Sequence, residues 1–330
     1  MHITERSNIT PTITVVVCTY NRADLLTELL KTLVYQTISP DQFEIIVVDN
    51  NSTDATKENC YSIITENPGL YIRYVSEKNQ GLSYARNRGC NEAKGLYIGY
   101  LDDDCKVPPK WLQIAQSCIT TQAPDMFGGP YYACYNSPKP KWFKDEYGSH
   151  VSGSEPRDLS FGEYLDGGNF FIKRTLIRDL TGFKTHLGMT GNSLGYGEET
   201  ELQIRTRHTY PESIIMYYPQ LFVYHLVRKE KMIFKSILNQ NFQSGRYSAR
   251  ILIENSSPKN MAGQIFGNIM YGAALIAIFP IRLLCRNTSQ YPYIQNYVYE
   301  KGCRIVSIVG FLYEILFFRP EKRAQKTQGT

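Results

Sequence analysis

Three adjacent carboxylates, Asp102, Asp103 and Asp104, follow a short apolar run and are well suited to hold a cation. Side by side they repel one another, and a hard divalent ion with oxygen ligands relieves that repulsion. A solvated acidic turn would serve as well if the cluster stood alone. A second polar group, Asp49-Asn50-Asn51-Ser52-Thr53-Asp54, reads either as a ligand-facing loop or as an Asx turn leading into a helix cap. Thr19, Tyr20 and Arg22 end a third apolar run. The pair Glu198-Glu199 would open a helix, where carboxylates are favoured by the macrodipole whether or not they do chemistry. His225 closes a β-rich run, where a histidine is as readily structural as metal-binding. None of these groups forms the G-x-G-x-x-G turn of a dinucleotide site or the lysine loop of a nucleoside triphosphatase, so a different nucleotide ligand is implied.

The first three polar groups lie just past predicted strands. Runs rich in Val, Ile and Tyr predict strands at 13–18, 44–48, 71–75 and 97–101. Leu25, Leu26, Leu29, Leu30, Leu33 and Val34 recur at helical spacing between the first two. Further helices are expected from Ser52 or Thr53 to about residue 66, over 80–94, and opening at Pro108-Pro109. This β-α alternation predicts an α/β fold with a doubly wound, mostly parallel sheet, in which ligands bind beyond the carboxyl ends of the strands. Residues 131–165 lack periodicity and read as a functional loop or lid. Strands at 169–172, 214–218 and 221–225, a helix opening near Glu199 and a polar helix at 231–254 follow. Two apolar stretches, 265–284 and 305–318, come last.

Composition is that of a folded globular chain, with 42% apolar and 20% charged residues. The net charge of +5 is unevenly placed: from Ser257 onward nine Lys or Arg face three acids, and the rest is near neutral. A near-neutral body with a basic, apolar end argues against nucleic acid and for an anionic membrane surface. The eight cysteines show no C-x-x-C pair and are expected to be reduced thiols. Met1 to Pro11 is polar and lacks the apolar core of a secretory signal, which places the expected body in the cytoplasm.

Taken together, the segments V-V-V-C-T-Y-N-R (Val15 to Arg22), V-V-D-N-N-S-T-D (Val47 to Asp54), N-Q-G-L-S-Y-A-R-N-R-G (Asn79 to Gly89), L-D-D-D (Leu101 to Asp104), G-G-N-F-F (Gly167 to Phe171) and G-E-E-T-E-L (Gly197 to Leu202) resemble the family 2 glycosyltransferases of the GT-A fold. The resemblance extends over about Thr12 to Arg228. It implies an inverting transferase that moves a sugar from a nucleotide diphosphate sugar, UDP-linked, to a hydroxyl of a saccharide or lipid-linked acceptor. By the same resemblance Thr19, Tyr20, Arg22 and Asn79 bind the nucleotide sugar, Asp49 receives the base N–H, Arg86 holds the uracil side and Asp102 approaches the ribose. Asp104 ligates Mn2+ or Mg2+, His225 approaches the metal or diphosphate, and Asp103 is expected to matter least. Glu199 is the expected general base, with Glu198 the competing candidate because the family more often reads Glu-Asp here. Gly167, Gly168 and Asn169 are expected to face the donor sugar or acceptor. Trp142, Phe143, Tyr147 and Tyr164 either stack on sugar rings or pack.

The implied organisation is an N-terminal tail (1–11), a nucleotide-sugar-binding half (12–130), an acceptor-binding half of the same catalytic domain (131–256) and an apolar, basic, helical, membrane-proximal extension (257–330). The second apolar stretch is about 14 residues long and contains Glu314, short of the roughly 20 residues that cross a bilayer. Both stretches are therefore expected to lie in the interface on the inner face of the cell membrane, with Phe311, Leu312, Ile315, Leu316 and Phe318 in the acyl boundary and Arg282, Arg286, Arg304, Arg319, Lys322 and Arg323 on headgroups. Packing on the protein or in a dimer is the competing arrangement. A rival to the enzyme reading is a non-catalytic carbohydrate-binding or scaffold protein, which is expected to lose Asp104 or Glu199; both are present.

Overall fold

The two longest strands, Ile13–Thr19 (β1) and Phe43–Asp49 (β2), are nearly continuous apolar runs with all side chains but Cys18 buried, as expected of parallel strands covered on both faces. The computed structural model describes residues 10–191 and 195–317, so most of the expected N-terminal tail, together with Phe318, Arg319, Lys322 and Arg323, lies outside the described residues. Two compact units form: Met1–Asn136, Lys144–Ser193 and Glu198–Val227 make the first, and Ser137–Phe143, Leu194–Gly197 and Arg228–Thr330 the second.

In the first unit the chain runs β1, α1 (Ala23–Leu33), β2, α2 (Thr56–Glu66), β3 (Ile72–Ser76), α3 (Leu82–Glu92), β4 (Tyr97–Asp102), β5 (Cys105–Lys106), α4 (Trp111–Gln122), β6 (Met126–Gly128) and β7 (Tyr131–Cys134). It continues through β8 (Arg157–Asp158), β9 (Asn169–Lys173), α5 (Arg174–Asp179), α6 (Glu198–Thr209), β10 (Ile215–Tyr217) and β11 (Val223–Leu226). The main sheet has eight strands in the order β3-β2-β1-β4-β9-β6-β10-β8, and β5-β11-β7 form a second sheet. Strand order reverses at β1, whose neighbours are β2 and β4, so a crevice opens beyond the carboxyl ends. Register sets Thr19 opposite Asp49, Cys18 opposite Asp102, and Leu101 opposite Asn169 on antiparallel β9. Alternation along β1 divides the core: Val15 and Val17 pack with Leu26, Leu29, Leu30 and Leu33 of α1, while Val16 packs on the other face with Ile46, Val48 and Ala85. Each buried leucine contributes roughly 1.5–3 kcal/mol of transfer free energy.

The expected doubly wound, mostly parallel architecture is present, with differences at element ends. Helix α2 starts at Thr56, not at a cap from Ser52 or Thr53. The Asp54 carboxylate takes the Thr56 N–H (3.1 Å), while the N–H groups of Ser52 and Thr53 are spent on the side chains of Asp49 and Asn21. Pro108 and Pro109 precede α4 instead of opening it, because the Trp111 N–H closes a turn on the Pro108 carbonyl. The segment 131–165, read as irregular, contributes β7 to the second sheet and β8 to the edge of the first. β6 was not predicted: three residues are too few to show alternation, although all are buried between β9 and β10.

The second unit is helical: α7 (Phe234–Asn255), α8 (Pro258–Leu284), α9 (Ile294–Tyr297) and α10 (Cys303–Phe317). α7 and α10 meet backbone to backbone, since a Cβ at Gly245 would fall 1.8 Å from the Ser307 carbonyl and one at Gly310 2.0 Å from that of Phe242. Glu314, expected on a membrane-facing helix, is instead 2% exposed and receives the Nε of both Arg246 and Arg250. Phe311 is buried and so unavailable to lipid, while Leu312 and Ile315 pack half-buried against it, Ala249 and Leu252. Leu316 and Phe317 stay exposed. Trp142 and Phe143 pack on each other and Trp142 on Phe234, which favours packing over sugar stacking for this pair. Helix α8 exceeds the expected 265–284 by seven residues at its start, where Ser257 caps it, and contains Pro280. Of its residues only Gly272 is buried.

Candidate active site

β4 ends in the carboxylate cluster, and the next two residues pair with β11, setting Cys105 opposite His225. The Leu226 N–H donates to the Asp104 carbonyl (2.9 Å), which locks this register. Ligand atoms of Asp102, Asp104 and His225 consequently lie within 4.8 Å of one another, and His225 Nε2 is 3.3 Å from Asp104 Oδ1. Two carboxylates and an imidazole are a donor set for a divalent ion such as Mn2+; Mg2+ favours oxygen donors more strictly. Asp103 points elsewhere. It is 3% exposed and accepts from the Thr19 hydroxyl (2.8 Å) and Arg22 Nη1 (2.7 Å). Burial raises its pKa to about 6 against the opposing pull of Arg22. The middle aspartate, expected to matter least, therefore ties the β1–α1 loop to the cluster, and the side chains of Thr19 and Arg22 are spent on it.

Arg86, expected beside the nucleobase, is instead buried beneath the cluster at 3% exposure. Nη1 meets Glu198 Oε1 at 2.7 Å, Nη2 donates to the Gly167 carbonyl (3.0 Å), and Asp102 Oδ1 lies 3.5 Å away. Burial opposes its charge, but Glu198, Asp102 and Glu199 raise its pKa on balance. Glu198 is committed to this ion pair. Glu199 is not: its side chain is 23% exposed, its nearest approach to Arg86 is 4.0 Å, and no other described residue donates to its carboxylate. Burial first, then the charge of Glu198, push its pKa well above the usual carboxylate range, with Arg86 opposing. A carboxylate so placed is suited to accept a proton.

Gly167 and Gly168 permit close approach, but to the protein's own carboxylates. A Cβ on Gly168 would fall 2.6 Å from Asp102 Oδ2, and one on Gly167 2.9 Å from Arg86 Nη2 and 3.3 Å from Glu199 Cδ. Asn169 cannot face a sugar: it is fully buried, accepting from Trp111 Nε1 (3.0 Å) and donating to the Leu221 carbonyl (2.6 Å). Asp49 accepts from the Tyr74 hydroxyl (2.6 Å) and the Ser52 N–H (2.9 Å), each oxygen keeping one lone pair for a ligand. Tyr20 is half-buried at the end of β1. Asn79 is held through its backbone, its N–H on Glu77 and its carbonyl on the Asn50 side chain. Asn50 also takes the Gly81 N–H (2.7 Å), so it shapes the loop before α3, a role that its sequence position did not reveal.

Residues 14–195, over half of the chain, match the family described as Glycosyl transferase family 2. The chain is 28% identical over 177 residues to a glycosyltransferase, AglE, of Haloferax volcanii; the match covers 54% of this chain and 57% of that relative's length. It is 26% identical over 251 residues to a glucosyl-dolichyl phosphate glucuronosyltransferase of the same organism, covering 73% and 77%. Among solved structures, the mannosyltransferase PcManGT of Pyrobaculum calidifontis, in complex with GDP-Man and Mn2+, superposes with a TM-score of 0.63 at 18% identity, covering 92% of this chain and 88% of that one.

Proposed function

The chain belongs to glycosyl transferase family 2, and from that premise we propose that it moves a sugar from a UDP-linked donor to a hydroxyl of a saccharide or lipid-linked acceptor, with inversion at the anomeric carbon. One observation carries this reading: the Arg86 guanidinium lies 3.5 Å from Asp102 and 4.0 Å from Glu199, which supports a diphosphate site and a proton acceptor within one crevice. Glu199 removes the proton from the acceptor hydroxyl as its oxygen bonds to the anomeric carbon; the bond from that carbon to the diphosphate oxygen breaks, and its electron pair leaves with the diphosphate. Asp102, Asp104 and His225 would hold Mn2+ or Mg2+, which when bound supplies Lewis-acid stabilisation of the departing diphosphate. Asp49 and the 49–54 loop, with Tyr20 and the loop at Asn79, would receive the nucleoside.

Incubation with UDP- and GDP-sugars and Mn2+ tests this directly. Slow donor hydrolysis is expected with UDP-sugars and not with GDP-sugars, and proton NMR should show an inverted anomeric centre in the transfer product. A retained configuration would exclude the single displacement.

We also assign to the second unit a peripheral contact with the cytoplasmic face of a membrane. Among the described residues, α8 is the one helix long and apolar enough to cross a bilayer. It exposes Phe266, Met270, Ile276, Ile281 and Leu284, with Arg282 and Arg286 at its end. Pro280 and the flanking cations favour lying in the interface, where a lipid-linked acceptor is presented. The full-length chain is expected to float with anionic liposomes at low salt and a truncation at Ser257 to stay soluble; a full-length chain that remains soluble would remove the assignment.

A further inference from the structure

Beside the proposed base, three polar groups stand unused by the chemistry above. Asp166 precedes Gly167, whose backbone abuts Glu199, and its charge reaches Glu199. Its Oδ2 is bonded to Nδ1 of His150. The ring of Tyr131 contacts those of both His150 (centroids 5.9 Å apart) and His225 (5.0 Å), and its hydroxyl lies in the field of Asp166, Asp102 and Glu199. Among the described residues, no hydrogen bond engages the second oxygen of Asp166, Nε2 of His150 or the Tyr131 hydroxyl, and none from another residue engages the Glu199 carboxylate. The side chains of His150 and Asp166 are 49% and 26% exposed, so a ligand can reach them.

The charge around these groups narrows what that ligand is. Asp102, Asp104, Asp166 and Glu199 bring four carboxylates to this part of the unit, while Asp103 and Glu198 are buried against their arginines. Arg22 is committed to Asp103 and lies 3.8 Å from Asp104; Arg86 is committed to Glu198, Asp102 and the Gly167 carbonyl. A second phosphate, arriving as nucleophile next to Glu199, would meet carboxylates whose arginine partners are already engaged. A neutral polyol meets what it needs: carboxylate acceptors, an imidazole nitrogen and an aromatic face for its C–H side.

Resting on the transferase reading above, we propose that Asp166, His150 and Tyr131 form the acceptor subsite, and that the acceptor is a saccharide ring bound through two neighbouring hydroxyls, not a lipid phosphate. Asp166 accepts from one hydroxyl, His150 Nε2 meets its neighbour, and the reacting hydroxyl is left to Glu199. The hydrogen bond from His150 to Asp166 fixes the imidazole and raises its pKa against the effect of burial. Nε2 is a donor when the ring is charged and an acceptor when it is neutral, and a hydroxyl suits either. These three are specificity-determining residues. A lipid-linked acceptor remains compatible with the subsite when a sugar is its exposed end.

The test uses the full-length chain with Mn2+, the UDP- or GDP-sugar that it hydrolyses, p-nitrophenyl glucosides, galactosides and mannosides as acceptors, and undecaprenyl phosphate as the phosphate probe. Asp166→Asn and His150→Gln should each raise the glycoside KM about tenfold or more, the usual scale for a lost hydrogen bond to a charged group. UDP with Mn2+ should raise the melting temperature of each variant as much as that of wild type. A monodeoxy glycoside that binds wild type more weakly should lose no further affinity in Asp166→Asn, an outcome that a merely structural role would not produce. Tyr131→Leu, which removes the aromatic face but keeps apolar bulk, provides a third variant if either of the others melts early. Unchanged glycoside KM in the variants, or transfer to undecaprenyl phosphate in preference to every glycoside, overturns the subsite while leaving the transferase intact. Absence of any donor hydrolysis in wild type sinks the transferase reading and this inference with it.

Discussion

Glu199→Gln is expected to lower turnover roughly 100-fold or more, the usual scale for a lost general base, with donor affinity nearly intact. Glutamine keeps the shape and removes only the ability to take a proton. The contrast with Glu198→Gln makes the test specific. Glu198 is 4% exposed and faces Arg86 at 2.7 Å, so its loss leaves a buried guanidinium short of a partner and should appear first as lost stability. The pH dependence has a defined sign. Glu199 has a folded pKa above its unfolded value of about 4.3, so the folded state holds its proton more tightly. That contribution to stability is fully present below the unfolded pKa and is lost as pH rises through the folded one. Ionised Glu199 is therefore a stability cost at neutral pH, and Glu199→Gln should melt higher than wild type at pH 8 but not at pH 4. Activity runs the other way, falling as pH drops through the raised pKa because a protonated carboxyl cannot act as base. Wild-type turnover in Glu199→Gln would rule out the assignment.

Much of the scaffold was legible because burial on both faces demands long apolar runs. The residues 13–18 and 44–48 announce themselves as central strands, and the leucines of α1 announce the helix that covers them. The polar residues past each strand were legible for the same reason, since chain order fixes which strand ends face the crevice. What was hidden depends on contacts distant in sequence. His225 reaches Asp104 only because β11 pairs antiparallel with the two residues of β5, and nothing local to either segment signals that pairing. Arg86 was expected at the nucleobase, yet its charge is balanced by Glu198, 112 residues later. Asn169 has a polar side chain in a glycine-rich turn, which reads as ligand-facing; its amide accepts from Trp111 and donates to the Leu221 and Pro130 carbonyls, and none of these bonds has a sequence signature. Tyr131 and His150 sit in a segment with no periodicity at all, so their convergence on Asp166 was beyond the reach of pattern. Glu314 shows the converse: an acid in an apolar stretch suggested an interfacial helix, whereas two arginines of α7 bury it.

Asp104→Asn should abolish the rise in melting temperature that Mn2+ with UDP confers on wild type. A ligand that binds only the folded state stabilises by mass action, so the size of the shift reports affinity without needing an acceptor. Asp104 is the cluster carboxylate that His225 faces directly, at 3.3 Å, and asparagine there keeps one oxygen but removes the charge. The loss of metal affinity should be at least the roughly 10- to 100-fold that removing an outer-shell partner costs. Asp103→Asn separates the two neighbours. Asp103 is bonded to Thr19 and Arg22, away from the proposed metal ligands, so its replacement should lower the baseline melting temperature, by roughly 1–3 kcal/mol of stability for a weakened charged hydrogen-bond pair. A shift on adding Mn2+ and UDP should persist from that lower baseline. The two adjacent aspartates are thereby expected to fail in different ways, one in metal binding and one in folding. Calorimetry showing that Asp104→Asn binds Mn2+ as wild type does would move the metal away from Asp104, and with it the proposed position of the departing diphosphate.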